Sequence, residues 1–327
     1  MKTGKSIGKI VGTVIAVLII LTMIVLNIIF TDGRFSDYQR VTLNYLLIVC
    51  GCSIVYCFAV GEITRNYSQM DKLWSLLPIA YVWIIAVRGG LKTRLAAYAL
   101  IVTIWGIRLT MNFARKGAYS LKFWSGVEDY RWAIVHNTRF FRNDIAWTAF
   151  NLFFISFYQN LLVLGICLPA LACMESDAPI GISDLTAATF AICFLILETV
   201  ADEYQWKFHC KKKTLLDRND SLDALPEPFN LGFNTTGPWG YMRHPNYLGE
   251  QGIWLSLYFI TIDAGVARSG IFHWSMIGPL LLILLFMGSS TLGEAISSGK
   301  YPMYSDYMSS VYKYLPVHRY KPDEAKY

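Results

Sequence analysis

Residues 237–250, with the sequence GPWGYMRHPNYLGE, concentrate groups that could bind a charged ligand just before an apolar run. Arginine suits phosphate because its planar guanidinium offers two donors to two oxygens. The start of a helix adds free backbone N–H groups, which also favour an anion. The side chains that we expect at a binding site are Tyr241, Arg243, His244, Asn246, Tyr247 and Glu250.

Two apolar runs carry further polar residues at helical spacing, so that each set shares one helix face. The first face consists of Arg108, Asn112 and Arg115. The second consists of Glu198, Asp202, Gln205 and His209. Buried carboxylates need a partner or a proton. Two interpretations stay open: the faces form structural ion pairs with each other, or they hold a hydrophilic ligand through its ribose hydroxyls, amide and phosphates.

A third constellation, around Asn66 and Asp71, precedes a short apolar run. Asp71 could serve as a general acid or orient a substrate carbonyl. Alternatively, it is an acidic residue at a helix N-terminus, where the helix dipole favours it. The sequence EDYR at 128–131 is a weak signal on its own, because such runs in a solvated loop usually have no function. The five histidines have no paired spacing, so we expect no metal site.

The composition places these residues in a membrane protein. Hydrophobic residues make up 54% of the 327, charged residues 16%, and the mean hydropathy is +0.39, which excludes an ordinary soluble domain. Because the alternation of a barrel strand is absent, the pattern predicts an all-α, polytopic helix bundle. The net charge of +6 lies in loops between apolar runs, which indicates membrane orientation and no nucleic-acid partner. Five of the seven cysteines fall in apolar runs and are expected to be small buried hydrophobes.

Eight apolar runs predict seven to eight transmembrane helices in a single integral-membrane domain, 1–327. They are residues 10–30, 41–60, 73–87, 96–113, 145–172, 185–200, 247–261 and 275–288. The first is about 21 residues long and lacks a cleavage site, so we expect a retained span and not a signal peptide. Residues 1–60 contribute extra N-terminal spans, and 61–327 form the core.

Charge asymmetry predicts the orientation. With a cytoplasmic amino terminus, the basic segments 114–144 and 207–245 lie inside, and segment 173–184, which has no Lys or Arg, lies outside. Both termini are then cytoplasmic. Arg88, Lys92 and Arg94 are an exception, because they fall on the outer side. The long polar loop 209–240 is either a mobile lid or a plain connector.

In order and spacing, the polar blocks resemble the bacterial branch of the steroid 5-alpha-reductase family, whose members carry the 3-oxo-5-alpha-steroid 4-dehydrogenase C-terminal domain. The matching blocks are Asn66-x-Ser68-x-x-Asp71-x-x-Trp74, Trp105-Gly-Ile-Arg108-Leu109 with Arg115, Glu128-Asp129-Tyr130-Arg131, Glu198-x-x-x-Asp202-x-x-Gln205, and residues 237–250. The resemblance covers the chain from about residue 60 onward. The block Arg243-His244-Pro245 by itself is also similar to isoprenylcysteine methyltransferases.

The resemblance implies about seven membrane helices, NADPH in a cavity open to the cytoplasm, and a flat apolar substrate that enters from the lipid. The positions that would hold the dinucleotide are Asn112, Arg115, Glu198, Asp202, Asn246 and Glu250, with Tyr301 as a late cofactor-contacting tyrosine. The animal steroid reductases hold the 3-keto group with a Gln-Glu pair, and this chain has Met70-Asp71 there, which leaves the substrate open. No Gly-x-Gly-x-x-Gly follows a strand, so side chains must hold the nucleotide.

We therefore expect an NADPH-dependent membrane reductase of an activated C=C bond in a steroid-like or other lipophilic enone, with Asp71 and Asn66 at the catalytic position. The expected location is the bacterial inner membrane, with the cofactor site facing the cytoplasm. Two rival hypotheses are an S-adenosylmethionine-dependent membrane methyltransferase and a non-enzymatic transporter or scaffold.

Overall fold

The computed structural model describes residues 35–266, 271 and 273–321, and all of the regular structure in these residues is helical. The prediction of an all-α fold is confirmed. The predicted first span, residues 10–30, lies outside the described residues. A capping box starts the first helix: the Ser36 hydroxyl accepts from the backbone N–H of Gln39, and the Gln39 side chain accepts from the N–H of Ser36.

The described residues contain thirteen α-helices of very different lengths. The α-helices are α1 Asp37–Thr64, α2 Gln69–Leu73, α3 Leu76–Arg88, α4 Thr93–Ala114, α5 Tyr130–His136, α6 Asp144–Phe150, α7 Gln159–Gly165, α8 Leu168–Cys173, α9 Ile182–Leu216, α10 Pro245–Tyr258, α11 Ile260–Asp263, α12 Ile277–Lys300 and α13 Tyr304–Ser310. A π-helical stretch, Asn151–Tyr158, joins α6 to α7. Short 3-10 turns form at Phe229–Leu231, Gly237–Gly240 and Trp274–Met276.

Five helical segments in the described part of the chain are long and apolar enough to cross a membrane. They are Asp37–Thr64, Thr93–Ala114, Asp144–Cys173, Ile182–Leu216 and Trp274–Lys300. Two further predicted runs form shorter helices, α3 with 13 residues and α10 with 14. The predicted count of seven to eight spans is therefore not confirmed. The protein is an integral, multi-pass membrane protein.

The helices divide into two compact units, which we describe separately. The first unit runs to Ala191 and includes Trp254–Leu285. In it, α3 packs along α4, and α1 packs against the π-helical stretch and α7. A Cβ atom added at Gly106 would lie 2.6 Å from the carbonyl oxygen of Ser75, so only glycine permits this approach to α4.

Ion pairs at one end of the first unit explain the exception to the predicted charge asymmetry. The Arg94 guanidinium makes two bonds of 2.8 Å to the carboxylate of Asp184, and the Lys92 ammonium lies 2.9 Å from Asp177. The loop at 88–94 is thus neutralised by the acidic loop at 173–184. Both loops lie at the same end of this unit, as the predicted topology requires.

The second unit comprises Ile192–Ile253 and the described residues from Phe286 onward. Here α10 packs closely on α9: a Cβ atom at Gly249 would lie 2.6 Å from the Cβ of Glu198, and one at Gly252 would lie 2.4 Å from the Phe194 ring. The small core of this unit is aromatic. It consists of Leu231, Phe233, Tyr304, Tyr307, Val311 and Tyr320.

All seven cysteines are free thiols. Cys50, Cys57 and Cys167 are buried as expected, whereas the prediction that Cys52 and Cys193 are buried is wrong. Both lie on outward faces of long apolar helices, where a small apolar side chain can face lipid.

Candidate functional site

The close packing of α9 and α10 brings four of the predicted polar residues together in the second unit. Because Gly249 lies against Glu198, the neighbouring Asn246 and Glu250 lie on the α10 surface that faces α9. The Asn246 amide donates a bond of 3.2 Å to Asp202. Glu198, Asp202 and Glu250 are all buried, with at most 8% of their surface exposed. This carboxylate-rich helix pair is called the α9–α10 face below.

Amide groups of the second unit have buried atoms without a hydrogen-bond partner in the described part of the chain. Three of these atoms are the side-chain oxygens of Asn246 and Gln205 and the side-chain nitrogen of Asn234. Buried polar atoms without a partner are rare in native proteins and cost free energy. A ligand or ordered water that donates to the two oxygens and accepts from the nitrogen would satisfy them.

Residues 229–240 form a fixed wall of the second unit. The Lys212 ammonium donates 2.6 Å to the carbonyl of Gly232, and it also lies 5.5 Å from the ring centre of Tyr301. The Trp239 indole donates 2.8 Å to the carbonyl of Ala201, which precedes Asp202. For this part of the loop at 209–240, the buried contacts favour a connector over a mobile lid.

Arg243 and His244 meet a carboxylate that sequence reasoning missed. The Nε atom of Arg243 lies 2.8 Å from Oε1 of Glu294, and Nε2 of His244 lies 2.9 Å from the same oxygen. The Nη1 atom of Arg243 donates to the carbonyls of Met308 (2.8 Å) and Val311 (2.6 Å). Burial lowers the pKa of His244, although Glu294 opposes this, so the neutral imidazole is favoured.

Glu294 also receives a third partner, the Lys313 ammonium at 3.3 Å from Oε2. The predicted run 275–288 ended before Glu294, whereas α12 continues to Lys300. An acidic residue within a membrane helix is a recognised functional signal, and a longer window would have found it.

The remaining predicted tyrosines of the second unit have different surroundings. Tyr247 stacks on the His244 ring, with 5.2 Å between ring centres. Tyr241 is 42% exposed and has the Arg319 guanidinium 5.8 Å from its ring centre. Tyr301 packs against the wall, with its ring centre 5.9 Å from that of Phe233.

The face predicted on α4 belongs to the first unit. Asn112 is buried, and its side-chain oxygen accepts a bond of 3.0 Å from Nε of Arg115. Arg115 caps the end of α4 through its backbone N–H, which donates to the carbonyl of Met111. The convergence of this face with the α9–α10 face stays a prediction.

The Asn66–Asp71 constellation packs against the acidic block at 128–131. The Asn66 amide donates 3.0 Å to the carbonyl of Gly126, and the backbone N–H of Asp129 donates 2.9 Å to the Ser68 hydroxyl. The backbone N–H of Tyr67 donates to the Glu128 carboxylate. The block at 128–131, a weak signal in the sequence, thus bonds through the Glu128 side chain and the Asp129 backbone to a segment 61 residues earlier.

Asp71 itself accepts a bond of 2.8 Å from the Trp132 indole. Burial, and then the nearby charge of Asp129, raise the pKa of Asp71, while Arg131 opposes them. Burial would also raise the pKa of Asp129, but the charge and hydrogen bonds of Arg131, at 2.8 Å, hold it below its usual range. The pair thus favours one ionised carboxylate, on Asp129, and a proton on Asp71.

Lys72 is a second residue that sequence reasoning missed. Its side chain is fully buried, and the ammonium donates to the carbonyls of Phe123 (2.8 Å) and Ser125 (2.7 Å). Burial lowers the pKa of Lys72. Its position beside Asp71 was the available signal, since a lysine next to an apolar run needs a polar partner. Among the described residues, no group of three His, Cys, Asp or Glu could hold a metal.

Comparison with known proteins gives the family. Residues 57–311 match the model of a family described as "Protein of unknown function (DUF1295)". The chain belongs to the DUF1295 family. The family consists of membrane proteins that are related to the steroid 5-alpha-reductases. This relationship agrees with the resemblance seen in the sequence. The chain is 30% identical over 310 residues to an uncharacterized protein of Schizosaccharomyces pombe, an alignment that covers 89% of this chain and 85% of that protein. No solved structure matches the chain.

Proposed function

We propose that this DUF1295 protein is an NADPH-dependent membrane reductase that reduces an activated carbon–carbon double bond in a steroid-like or other lipophilic enone. The α9–α10 face is the observation that carries the proposal. Three buried carboxylates and an amide meet on two packed helices, and such a cluster of polar side chains on membrane helices is typical of a ligand site. Carboxylates accept from ribose hydroxyls, and an asparagine can pair with the nicotinamide amide.

The position of this face along α9 fits a nucleotide site near the basic end of the helix. Asp202 precedes Lys212 by ten residues, which is about 15 Å along a helix axis. Lys211 and Lys213 flank Lys212. The carboxylates would bind the ribose part of the ligand, and the cationic end would favour its phosphates. We place this end at the cytoplasmic side because of its positive charge.

In the proposed reaction, NADPH supplies the hydride, which adds to the β carbon of the enone. Asp71 would donate a hydrogen bond or proton to the carbonyl oxygen and so stabilise the charge that develops there. A raised pKa suits this role, because the carboxyl must carry its proton near neutral pH. Asn66, two residues before Ser68, would help to hold this part of the site through its bond to Gly126.

The proposal is tested by titrating the purified protein in lipid nanodiscs with NADPH and following the nicotinamide fluorescence. We expect saturable binding, at least 10-fold weaker in Asp202→Ala and in Glu250→Gln. Lys207→Ala is the matched control, because this side chain is exposed on the same helix. Absence of binding by the wild-type protein would contradict the proposal.

S-adenosylmethionine in the same titration tests the rival function. Saturable S-adenosylmethionine binding that NADPH does not displace would favour a methyltransferase. If neither nucleotide binds, and Asp202→Ala leaves the protein folded and unchanged in every ligand assay, a transporter or scaffold is favoured.

A further inference from the structure

We propose that Arg243 and His244 clamp the C-terminal segment of the protein in place and do not bind the nucleotide phosphates, and that Glu294 and Lys313 are the positioning residues of this clamp. The C-terminal segment is defined here as residues 301–321. The clamp is a structural inference about the second unit. Only its effect on NADPH affinity rests on the proposed function.

The bonds of Arg243 point toward the C-terminal segment. Its guanidinium joins the Glu294 carboxylate on α12 to the carbonyls of Met308 and Val311, where α13 ends. Carbonyls at a helix end lack partners within the helix, and a cation there is favourable. Arg243 therefore caps α13 from outside, a task that takes up its Nε and Nη1 donors.

The backbone of the same two residues pairs with the segment. The N–H of Arg243 donates 3.1 Å to the carbonyl of Tyr312, and the N–H of His244 donates 3.1 Å to the carbonyl of Lys313. These are the N–H groups just before α10, so they are not available to an anion at the helix start. The Lys313 side chain in turn forms an ion pair with Glu294, which completes the clamp.

The clamped segment supports the wall at 229–240. The Tyr307 hydroxyl donates to the carbonyl of Trp239, and the backbone N–H of Tyr320 donates 2.8 Å to the carbonyl of Gly240. Phe233 packs between Tyr304 and Tyr307, with ring centres 4.9 Å and 5.2 Å away. Because the Trp239 indole is bonded to Ala201, a shift of the segment would move the wall beside Asp202.

Glu294 is the residue whose loss should open the clamp. It is buried, and its two oxygens join Arg243, His244 and Lys313. Removing the carboxylate leaves buried cationic groups without a counter-charge, which is strongly unfavourable. Glutamine keeps an acceptor oxygen of similar position but removes the charge, so Glu294→Gln should behave between the wild type and Glu294→Ala.

The first experiment is limited trypsin digestion in nanodiscs, with cleavage followed at Lys313 and Arg319. We expect Glu294→Ala and Arg243→Ala to be cut at least 10-fold faster than the wild type, and Glu294→Gln to be intermediate. Ser297→Ala, on the same helix, is the matched control and should be cut at the wild-type rate. Unchanged cleavage in Glu294→Ala and Arg243→Ala would overturn the clamp, whatever the nucleotide result.

The second experiment separates a clamp from a phosphate ligand through a double-mutant cycle on NADPH affinity. If both residues act through the clamp, Arg243→Ala should weaken binding in the wild-type background and have little further effect in Glu294→Ala. An equal loss in both backgrounds would show that Arg243 contacts the nucleotide and would overturn the inference. If wild-type protein does not bind NADPH, the proposed function fails, and the digestion experiment still decides the clamp.

Discussion

Two aspartates of the first unit have opposite kinds of partner. Asp184 accepts bonds from Nε and Nη2 of Arg94, each 2.8 Å long, and one of 3.0 Å from the backbone N–H of Gly181. Asp71 is hydrogen-bonded to the Trp132 indole and to the Ser68 side chain, while the Arg131 guanidinium is bonded to Asp129. The first carboxylate is bonded directly to a cation. The second is bonded to neutral groups and lies near both the like charge of Asp129 and the opposite charge of Arg131.

The difference distinguishes a structural ion pair from a carboxyl group that could donate a proton. A matched ion pair holds two loops together and has no proton to give. A carboxyl group that is buried beside another carboxylate keeps its proton to higher pH, and this is the property of a general acid. The two sites can therefore be distinguished by stability in one case and by pH dependence in the other.

The largest effect should come from Arg94→Ala. It leaves Asp184 buried without its cation, and removing one partner of a buried pair costs about 3–5 kcal/mol of unfolding free energy. Unfolding by sodium dodecyl sulfate in mixed micelles measures this loss. Lys92→Ala is the matched control in the same loop: its partner Asp177 is 89% exposed, and we expect a loss of less than about 1 kcal/mol. Equal losses of unfolding free energy in the two variants would contradict the distinction between the buried and the exposed ion pair.

The second-largest effect should come from Asp71→Asn, which should leave the fold intact and remove the proposed proton donor. If the proposed reductase function holds, turnover should fall by about 10²–10⁴-fold. Wild-type activity should decline as pH rises through the raised pKa of Asp71, and the variant should lack this decline. A wild-type profile that is flat across this range would contradict the assignment.

The same variant has a predicted stability signature. Because the folded pKa of Asp71 lies above its unfolded value, near 4, ionising the group destabilises the folded state as pH rises between the two values. Asp71→Asn should therefore gain stability relative to the wild type across this window and keep a constant advantage above it. Unfolding curves at several pH values measure the trend.

The smallest effect should come from Trp132→Phe, which keeps an aromatic ring against Phe150 but removes the N–H donor to Asp71. That donor favours the ionised carboxylate, so its loss should raise the pKa of Asp71 further. The alkaline limb of the pH–rate profile should then move upward by less than about one pH unit. A downward move would show that the indole does not stabilise the carboxylate.

Helical periodicity predicted much of the fold, because every backbone group in lipid must be satisfied within a helix. The predicted runs at 41–60 and 96–113 lie within α1 and α4. The run at 185–200 was too short, since α9 continues as a polar helix through Lys213 to Leu216. Hydropathy finds the part of a helix that lipid covers and misses the part that extends beyond it.

The candidate site also has one part that the sequence predicts and one part that it does not. The contact of Asn246 with Asp202 follows from residues three and four apart on helix faces, together with a glycine that allows two helices to meet. The role of Arg243 could not be predicted, because its acceptors at Met308 and Val311 are backbone carbonyls, which every residue possesses. Lys72 was missed for the same reason.

The π-helical stretch Asn151–Tyr158 determines which side of its span meets α1. The Asn151 amide donates 2.8 Å to Glu62, and the Asn160 amide lies 3.8 Å from the Cys57 sulfur, so both amides reach α1. Nine residues of ordinary α-helix make about two and a half turns, which would put the two amides on opposite sides. Each wider turn holds more residues, so the same nine residues complete only about two turns and both amides reach one side. Deleting one residue between Asn151 and Asn160 would rotate one of the two amides away from α1, although every residue that contacts α1 would still be present.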